Sequence, residues 1–287
     1  MPLFGVARQY TGDLNVYLKK LHQNSIEAYE IGFANGVPYH FPQEMIELAY
    51  KLNIKLSGHI PFFLSWSNDK KSLNSIEHLR RGINFAAQLK TIAVCHLGYY
   101  GMKTFEELRP VMSKAILNAF SSVVEHYEVD HPVLGIETTG KSSEIGLMDE
   151  VLSVVSDLST DLAIPVVDWA HIFARSDGKF LKKMDDFHKI LTLLEDQIGI
   201  KNFYFHGSGI EYKNGQEKKH ISLRSCKPPL PYLFAILRDI GYEYTFIVES
   251  PDAVQDLIWI KEVSKNPEAW FDYIQKQNGT LDRWIIT

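Results

Sequence analysis

In Ala163-Ile-Pro-Val-Val-Asp168-Trp-Ala-His171 five apolar residues lead into a short polar ending. An apolar run without polar alternation is what a parallel strand covered on both faces requires. The run stops at a carboxylate and, three residues later, an imidazole, side chains that a buried strand excludes unless they find a partner. Runs of the same kind recur on either side, at Leu3–Ala7, Ala28–Phe33, Lys55–Ile60, Thr91–Leu97, Val133–Thr138, Phe203–His206 and Thr245–Glu249. Segments of helical periodicity separate them. Phe41-Pro42-Gln43-Glu44 puts proline in a first turn, after which Met45, Leu48, Ala49 and Leu52 line one face. Thr104-Phe-Glu-Glu107 reads as a capping box, and Gly241 and Gly279 read as helix stops. Strand starts fall roughly 25 to 45 residues apart, the length of one strand–helix unit with its loop. Eight such units without an internal linker predict an α/β fold, a single (β/α)8 TIM barrel occupying residues 1–287 as one domain. Lys227-Pro-Pro-Leu-Pro231 reads as a stiff loop entering the helix after the seventh strand. The last helices, around Val254–Lys265 and Pro267–Gln277, are expected on the exterior or base of the barrel.

Composition narrows the function classes. The chain has 287 residues, of which 45% are apolar, enough for one large core. A formal charge of −5 provides no global basic field, although cations gathered on one face can still bind nucleic acid. Two cysteines, Cys95 and Cys226, make no disulfide framework and fit a reducing compartment. No apolar run approaches the ~20 residues that span a bilayer, and the first residues do not read as a secretory leader. The expectation is a soluble, cytoplasmic protein without a membrane partner.

Barrel enzymes place their chemistry at the C-terminal ends of the strands, and here those ends are marked. The third strand runs into Ser57-Gly-His59-Ile-Pro61, the fourth into Cys95-His96-Leu-Gly98 and the fifth into Gly135-Ile-Glu137-Thr-Thr-Gly140. The sixth ends in Asp168-Trp-Ala-His171, the seventh in His206-Gly-Ser-Gly209 and the eighth in Glu249-Ser-Pro251. One histidine at a strand end is more often a hydrogen-bonded core residue than a ligand, but six successive strands delivering an imidazole or carboxylate to one rim is another matter. Crowding Glu137, Asp168 and Glu249 together costs several kcal/mol unless cations compensate. Lysines and arginines sit mostly on helices and in later loops, which leaves bound metal as the compensator. Of eleven histidines, His59, His96, His171, His206 and His220 fall at strand ends or in the loops after them. His22, His78, His126 and His188 lie on helices, and His40 and His131 in connections, so these read as surface or packing residues. Imidazole mixed with carboxylate favours Zn²⁺, Mn²⁺ or Fe²⁺ over Mg²⁺.

In their order along the chain these motifs, with Lys219-His220 between the last two, resemble those of the endonuclease IV family, zinc-dependent apurinic/apyrimidinic endonucleases with a barrel fold. The resemblance covers nearly the whole sequence. It implies that His59, His96 and Glu137 hold one zinc, that Glu137 bridges to a second held also by Asp168, His206 and Glu249, and that His171 and His220 hold a third. It also implies two to three ions (Zn²⁺, with Mn²⁺ the alternative) and double-stranded DNA with abasic sites as partner, and a monomer suits an enzyme that must grip a duplex. The activity implied is hydrolysis of the phosphodiester 5′ to the abasic sugar in base excision repair, with Glu137 the catalytic carboxylate. Phe62 and Phe63 resemble the bulky pair that enters the base stack, and Lys219 is a candidate phosphate contact. Three positions depart from the family. Lys218 stands two residues before His220 where the family has aspartate, with Glu217 the substitute candidate. Ser208-Gly209 replaces Asn-Asp, and Asn35-Gly-Val-Pro38 lacks an arginine. Glu137, Asp168, His206 and Glu249 alone would also suit a one-metal sugar isomerase or epimerase of the xylose-isomerase-like kind. A barrel that binds metal without catalysis is the third reading.

Overall fold

The computed structural model describes residues 2–9, 13–61, 64–66, 69–124, 127, 130–199 and 202–282. Ten strands run in chain order: β1 (Leu3–Gln9), β2 (Ala28–Gly32), β3 (Lys55–His59), β4 (Ala93–Cys95), β5 (Leu134–Glu137), β6 (Ala163–Asp168), β7 (Asn202–Gly207), β8 (Gly209–Lys213), β9 (Gln216–Ile221) and β10 (Glu243–Val248). Eight of them close a parallel barrel in the order β1-β10-β7-β6-β5-β4-β3-β2, the ring expected from the spacing of apolar runs. The helices among the described residues are α1 (Leu14–Gln23), α2 (Gln43–Lys51), α3 (Asp69–Leu89), α4 (Phe105–Val124), α5 (Met148–Leu158), α6 (Trp169–Arg175), α7 (Met184–Ile198), α8 (Pro231–Ile240), α9 (Ala253–Lys265) and α10 (Phe271–Asp282).

Local chemistry sets the helix ends. The Asp13 carboxylate accepts from the amides of Asn15 and Val16 to start α1, which turns Leu14, Leu18 and Leu21 inward. The capping box ahead of α4 forms: the Thr104 amide donates to Glu107 Oε2 at 2.8 Å and the Glu107 amide to Thr104 Oγ1 at 3.3 Å. Gly241 ends α8 in the left-handed conformation, as its sequence context suggests. Gly279 does not end a helix; α10 continues through it to Asp282, because a glycine weakens a helix by only about 1 kcal/mol and stops it only where the backbone turns left-handed. α9 packs against β1, β10 and α8 on the barrel exterior.

The segment after β7, expected as a loop, is instead an antiparallel ribbon of β8 and β9. Asn214 and Gly215 both adopt positive φ (53° and 67°), the backbone a two-residue hairpin turn demands.

Two apolar layers hold the barrel. Alternate strand residues face helices and build the large outer core, with Val6, Ile31, Phe205 and Val248 all buried. The intervening set points to the axis, where Ala28, Ile92, Val94, Val166, Tyr204 and Ile247 plug the interior. Burying each of the larger side chains contributes about 1.5–3 kcal/mol. The plug is apolar at its base but not at its top. There Tyr204 lifts its hydroxyl toward the C-terminal strand ends, where the polar groups begin. No helix of the structure, among the described residues, is long and apolar enough to cross a membrane.

Candidate metal centre

Parallel closure brings the strand ends to one rim, so residues far apart in sequence meet. β-register places His59 beside Gly32, Glu137 beside Val166 and Asp168 beside His206. His96 follows β4 by one residue and Glu249 follows β10 by one. Four groupings result: three at the rim, and a fourth of Glu30, His59, His206 and Glu249, whose ligand atoms also lie within 4.8 Å of one another. In the first, Glu137 Oε2 lies 2.9 Å from His59 Nε2 and 3.0 Å from His96 Nε2. In the second, Glu137, Asp168, His206 and Glu249 each offer one atom within 4.8 Å of the others. His206 Nδ1 is there 3.3 Å from Glu137 Oε1 and 3.4 Å from Glu249 Oε1. In the third, His171 Nε2 and His220 Nε2 are 3.3 Å apart beside Asp168. Glu137 thus belongs to two sets at once, one oxygen toward each.

Whether these residues suit divalent ions is answered by their unused atoms. Glu137 Oε1, Asp168 Oδ2 and His206 Nδ1 are buried without a hydrogen-bond partner, and all belong to the second set. Orphaned acceptors facing one another are costly unless a cation joins them. Among the described residues, the ion-pair partners of Glu30, Glu137, Asp168 and Glu249 are histidines. Four of the histidines also have their far nitrogen occupied. His59 Nδ1 donates to the Ile60 carbonyl (2.9 Å), His171 Nδ1 to the Thr138 carbonyl (2.8 Å) and His220 Nδ1 to the Glu249 carbonyl (3.3 Å), while His206 Nε2 donates to Glu30 (3.1 Å). A carbonyl or carboxylate behind each ring leaves the forward nitrogen as a lone pair, which is how protein metal ligands are oriented. The donor set fits.

Without ions, protons would take their place. Burial alone would depress His59, but Glu137, with Glu30 and Glu249 behind it, pushes it up to about 9. Burial likewise works against protonation of His206 and His171, yet carboxylates outweigh it (Glu30, Glu249 and Glu137 for the first; Asp168, Glu137 and Glu217 for the second), holding both well above ordinary imidazole. Burial opposes ionisation of Glu137, but His96 and His206 prevail and hold its carboxyl well below the usual range. Glu249 moves the other way, raised by burial and by the charge of Glu137.

The third set explains a departure in the sequence. In an uninterrupted strand, position 218 would share a face with His220, and position 218 is lysine. β9 carries one extra residue: Glu211 pairs with Lys219 but Tyr212 pairs with Glu217, so Lys218 is bulged out. The bulge turns Glu217 to the side of His220. Its Oε2 lies 3.5 Å from His171 Nε2 and its Oε1 3.8 Å from His220 Nε2. Gly140 makes room for it, since a Cβ there would sit 2.6 Å from Glu217 Oε2 and 2.8 Å from His171 Cδ2. The Gly140 carbonyl also accepts the Glu217 amide at 3.0 Å. Lys219 is exposed on the outer side of the ribbon, paired with Glu211 at 3.2 Å. Phe62 and Phe63 lie outside the described residues.

One group at the centre was missed in the sequence. The second strand also delivers a carboxylate: Glu30 is fully buried inside the barrel, below the rim. Its signal was a lone charge inside the apolar run Ala28-Tyr-Glu-Ile-Gly-Phe33. Glu30 accepts from the Tyr204 hydroxyl at 2.7 Å, and Tyr204 in turn meets Ser57 Oγ at 2.8 Å. A cleft of about 240 Å³ opens beside the centre, lined by Arg8, Phe33, Pro61, His59, His220 and Glu249 among others.

A closed parallel barrel with polyhistidine–carboxylate ligand sets at its C-terminal rim defines a class of metal-site barrel proteins. Residues 18–272 match the family described as xylose isomerase-like TIM barrel, and the chain belongs to it. A curated relative, an uncharacterized protein of Methanocaldococcus jannaschii, is 29% identical over 243 residues, 83% of this chain and 87% of the relative. Among solved structures, endonuclease IV from Thermus thermophilus superposes with a TM-score of 0.69 at 19% identity, covering 95% of this chain and 100% of that one. A D-tagatose 3-epimerase-like protein gives 0.63 at 18% identity, over 97% and 99% of the two chains. The IOLI protein, described with a bound zinc atom, gives 0.62 at 16% identity over 96% and 99%. At these identities the likeness establishes the fold.

Proposed function

We propose that this chain is a divalent-metal-dependent endonuclease that hydrolyses the DNA phosphodiester 5′ to an abasic site. The observation that carries the reading is the sharing of Glu137 between two ligand sets with a third set of His171, His220 and Glu217 beside them. A sugar isomerase working through one ion has no use for the additional imidazoles of His59, His96, His171 and His220. In this reading His59, His96 and Glu137 hold one ion, and Glu137, Asp168, His206 and Glu249 a second. His171, His220 and Glu217 hold the third. Imidazole-rich sets of this kind favour zinc, with manganese the alternative.

Bound ions supply a water nucleophile at neutral pH and neutralise charge on a phosphoryl group. The residues of the chain do the rest. Glu137, rigidly seated in β5 with an oxygen toward each neighbouring set, keeps their spacing constant. The carbonyls of Ile60, Thr138 and Glu249 hold three rings in fixed tautomers, so little reorganisation accompanies the reaction. The cleft beside His59 accommodates an extrahelical sugar, Phe62 and Phe63 serve as the wedge in the duplex, and Lys219 contacts phosphate. Its pairing with Glu211 is exposed and costs little to exchange. We infer a monomer engaging one duplex.

The second reading is a one-ion sugar isomerase or epimerase. Glu137, Asp168, His206 and Glu249 form a complete four-ligand set by themselves, and the adjoining cleft is small. Incision of a duplex carrying one abasic site, with and without chelator, combined with zinc counting, separates the two. Two or three ions and chelator-sensitive incision support the nuclease. A single ion, no incision and epimerisation of a keto-sugar would transfer the assignment.

A further inference from the structure

Glu30 comes within 4.8 Å of ligand atoms of His59, His206 and Glu249 but stands outside the three sets assigned to ions, and it is fully buried inside the barrel. It lies midway along β2, opposite Ala7 on β1 and Ser57 on β3, directly over the apolar plug. Leaving a carboxylate there costs several kcal/mol, so its retention calls for a task. Its surroundings specify one. Glu30 Oε2 takes the Tyr204 hydroxyl at 2.7 Å and His206 Nε2 at 3.1 Å. Because Tyr204 gives its single proton to Glu30, Ser57 must be the donor in the 2.8 Å contact between their hydroxyls. The chain is directional: Ser57 donates to Tyr204, Tyr204 to Glu30, and His206 to Glu30 from the other side.

His206 also differs from its neighbours in orientation. His59, His171 and His220 present Nε2 to the centre and anchor Nδ1 on a backbone carbonyl. His206 is turned the other way, with Nδ1 facing Glu137 and Glu249 and Nε2 pointing down the barrel axis. Carbonyls of a barrel strand are committed to the neighbouring strand, so none is free inside to receive Nε2. An acceptor has to come from a side chain on another strand. We propose that Glu30 is the positioning residue of the centre: it holds His206 as the Nε2–H tautomer and so keeps Nδ1 available to the ion shared with Glu137, Asp168 and Glu249. Only a group that accepts and never donates enforces this. Glutamine at the same position could offer its NH₂ to Nε2 and stabilise the opposite tautomer, whose Nδ1 carries a proton and cannot ligate. The inference rests on the metal-centre reading and is independent of the substrate.

The test uses the full chain with ¹⁵N-labelled histidine and zinc as the only added metal. In zinc-loaded wild type, the His206 ring, assigned by its disappearance in His206→Gln, is expected to be protonated at Nε2 and zinc-bound at Nδ1. Zinc bound through Nε2 would overturn the proposal without any variant of Glu30. In chelator competition, Glu30→Gln is expected to weaken one zinc ion by about 10- to 100-fold and leave the ions at the other sets unchanged, the effect usual for the group behind a ligating histidine. Glu30→Asp, which keeps an accepting carboxylate, is expected to recover part of that loss. Wild-type affinity in Glu30→Gln with an unchanged His206 signal defeats the positioning role alone. Absence of any zinc effect on the wild-type rings defeats the metal-centre reading with it.

Discussion

Replacing Glu137 with glutamine keeps the shape of the side chain and removes the one charge that touches both of the first two ligand sets. In the metal-free protein its effect can be worked out from His59. That ring lies 2.9 Å from Glu137 Oε2, and carboxylates raise it from 6.5 to about 9 against the opposing effect of burial. The difference corresponds to about 3 kcal/mol in favour of the protonated ring. Glu137 is the largest of the contributing carboxylates, so in Glu137→Gln the ring should titrate well below the wild-type value. Because the folded pKa exceeds the unfolded one, the stabilisation is fully present below about pH 6.5 and disappears as the pH rises through about 9. Chelator-treated wild type should therefore exceed the variant in stability by up to about 3 kcal/mol more at pH 6 than at pH 9.5, read by denaturant unfolding, with the His59 ring followed by NMR. On the proposed function the same variant should lose abasic-site incision at least about a hundredfold, since the carboxylate shared by two ligand sets is gone. A stability gap that does not vary with pH, together with an unaltered His59 titration, would refute the electrostatic reasoning.

Three further outcomes are expected. Glu217→Ala removes the carboxylate beside His171 and His220, and should cost one bound zinc of those counted by elemental analysis while leaving the set around Glu137 intact; unchanged stoichiometry would mean Glu217 is no ligand. Gly140→Ala drives a methyl group against Glu217 and His171, and should weaken the same ion without the other two, measured by chelator competition. Asp157 takes two hydrogen bonds from Arg109 and one from Ser113, tying α4 to α5, and Arg109 holds its carboxyl below the usual range. Its half-exposed position limits Asp157→Asn to a loss of roughly 0.5–1 kcal/mol at pH 7. That loss should fade as the pH falls through the depressed folded pKa of Asp157, and a gap surviving at low pH would point to packing instead.

The barrel was legible because its determinants are local. Val133–Thr138 and Ala163–Asp168 are apolar until their last residues, and short runs of that composition bounded by polar residues suit strands buried on both faces. Their abrupt polar endings, in Glu137 and Asp168, marked the rim for the same reason. The β8–β9 ribbon was less visible, since its residues are mostly polar and its pairing depends on the two-residue turn at Asn214-Gly215. Glu30 escaped notice because a single charge in a strand is ambiguous until its neighbours are known.

Residue types and their order along the chain determined the fold, the rim and most of the ligand set. Burial periodicity and the cost of crowded carboxylates are both expressed in the sequence itself. Tertiary structure alone decided which nitrogen of each histidine faces the centre, that Glu217 rather than Lys218 stands beside His171 and His220, and that Glu30 stands behind His206. Those facts depend on a bulge in one strand, on room left by a glycine in another loop, and on a hydrogen bond between strands separated by 176 residues. Orientation is set by what lies across the barrel, and no local pattern contains it.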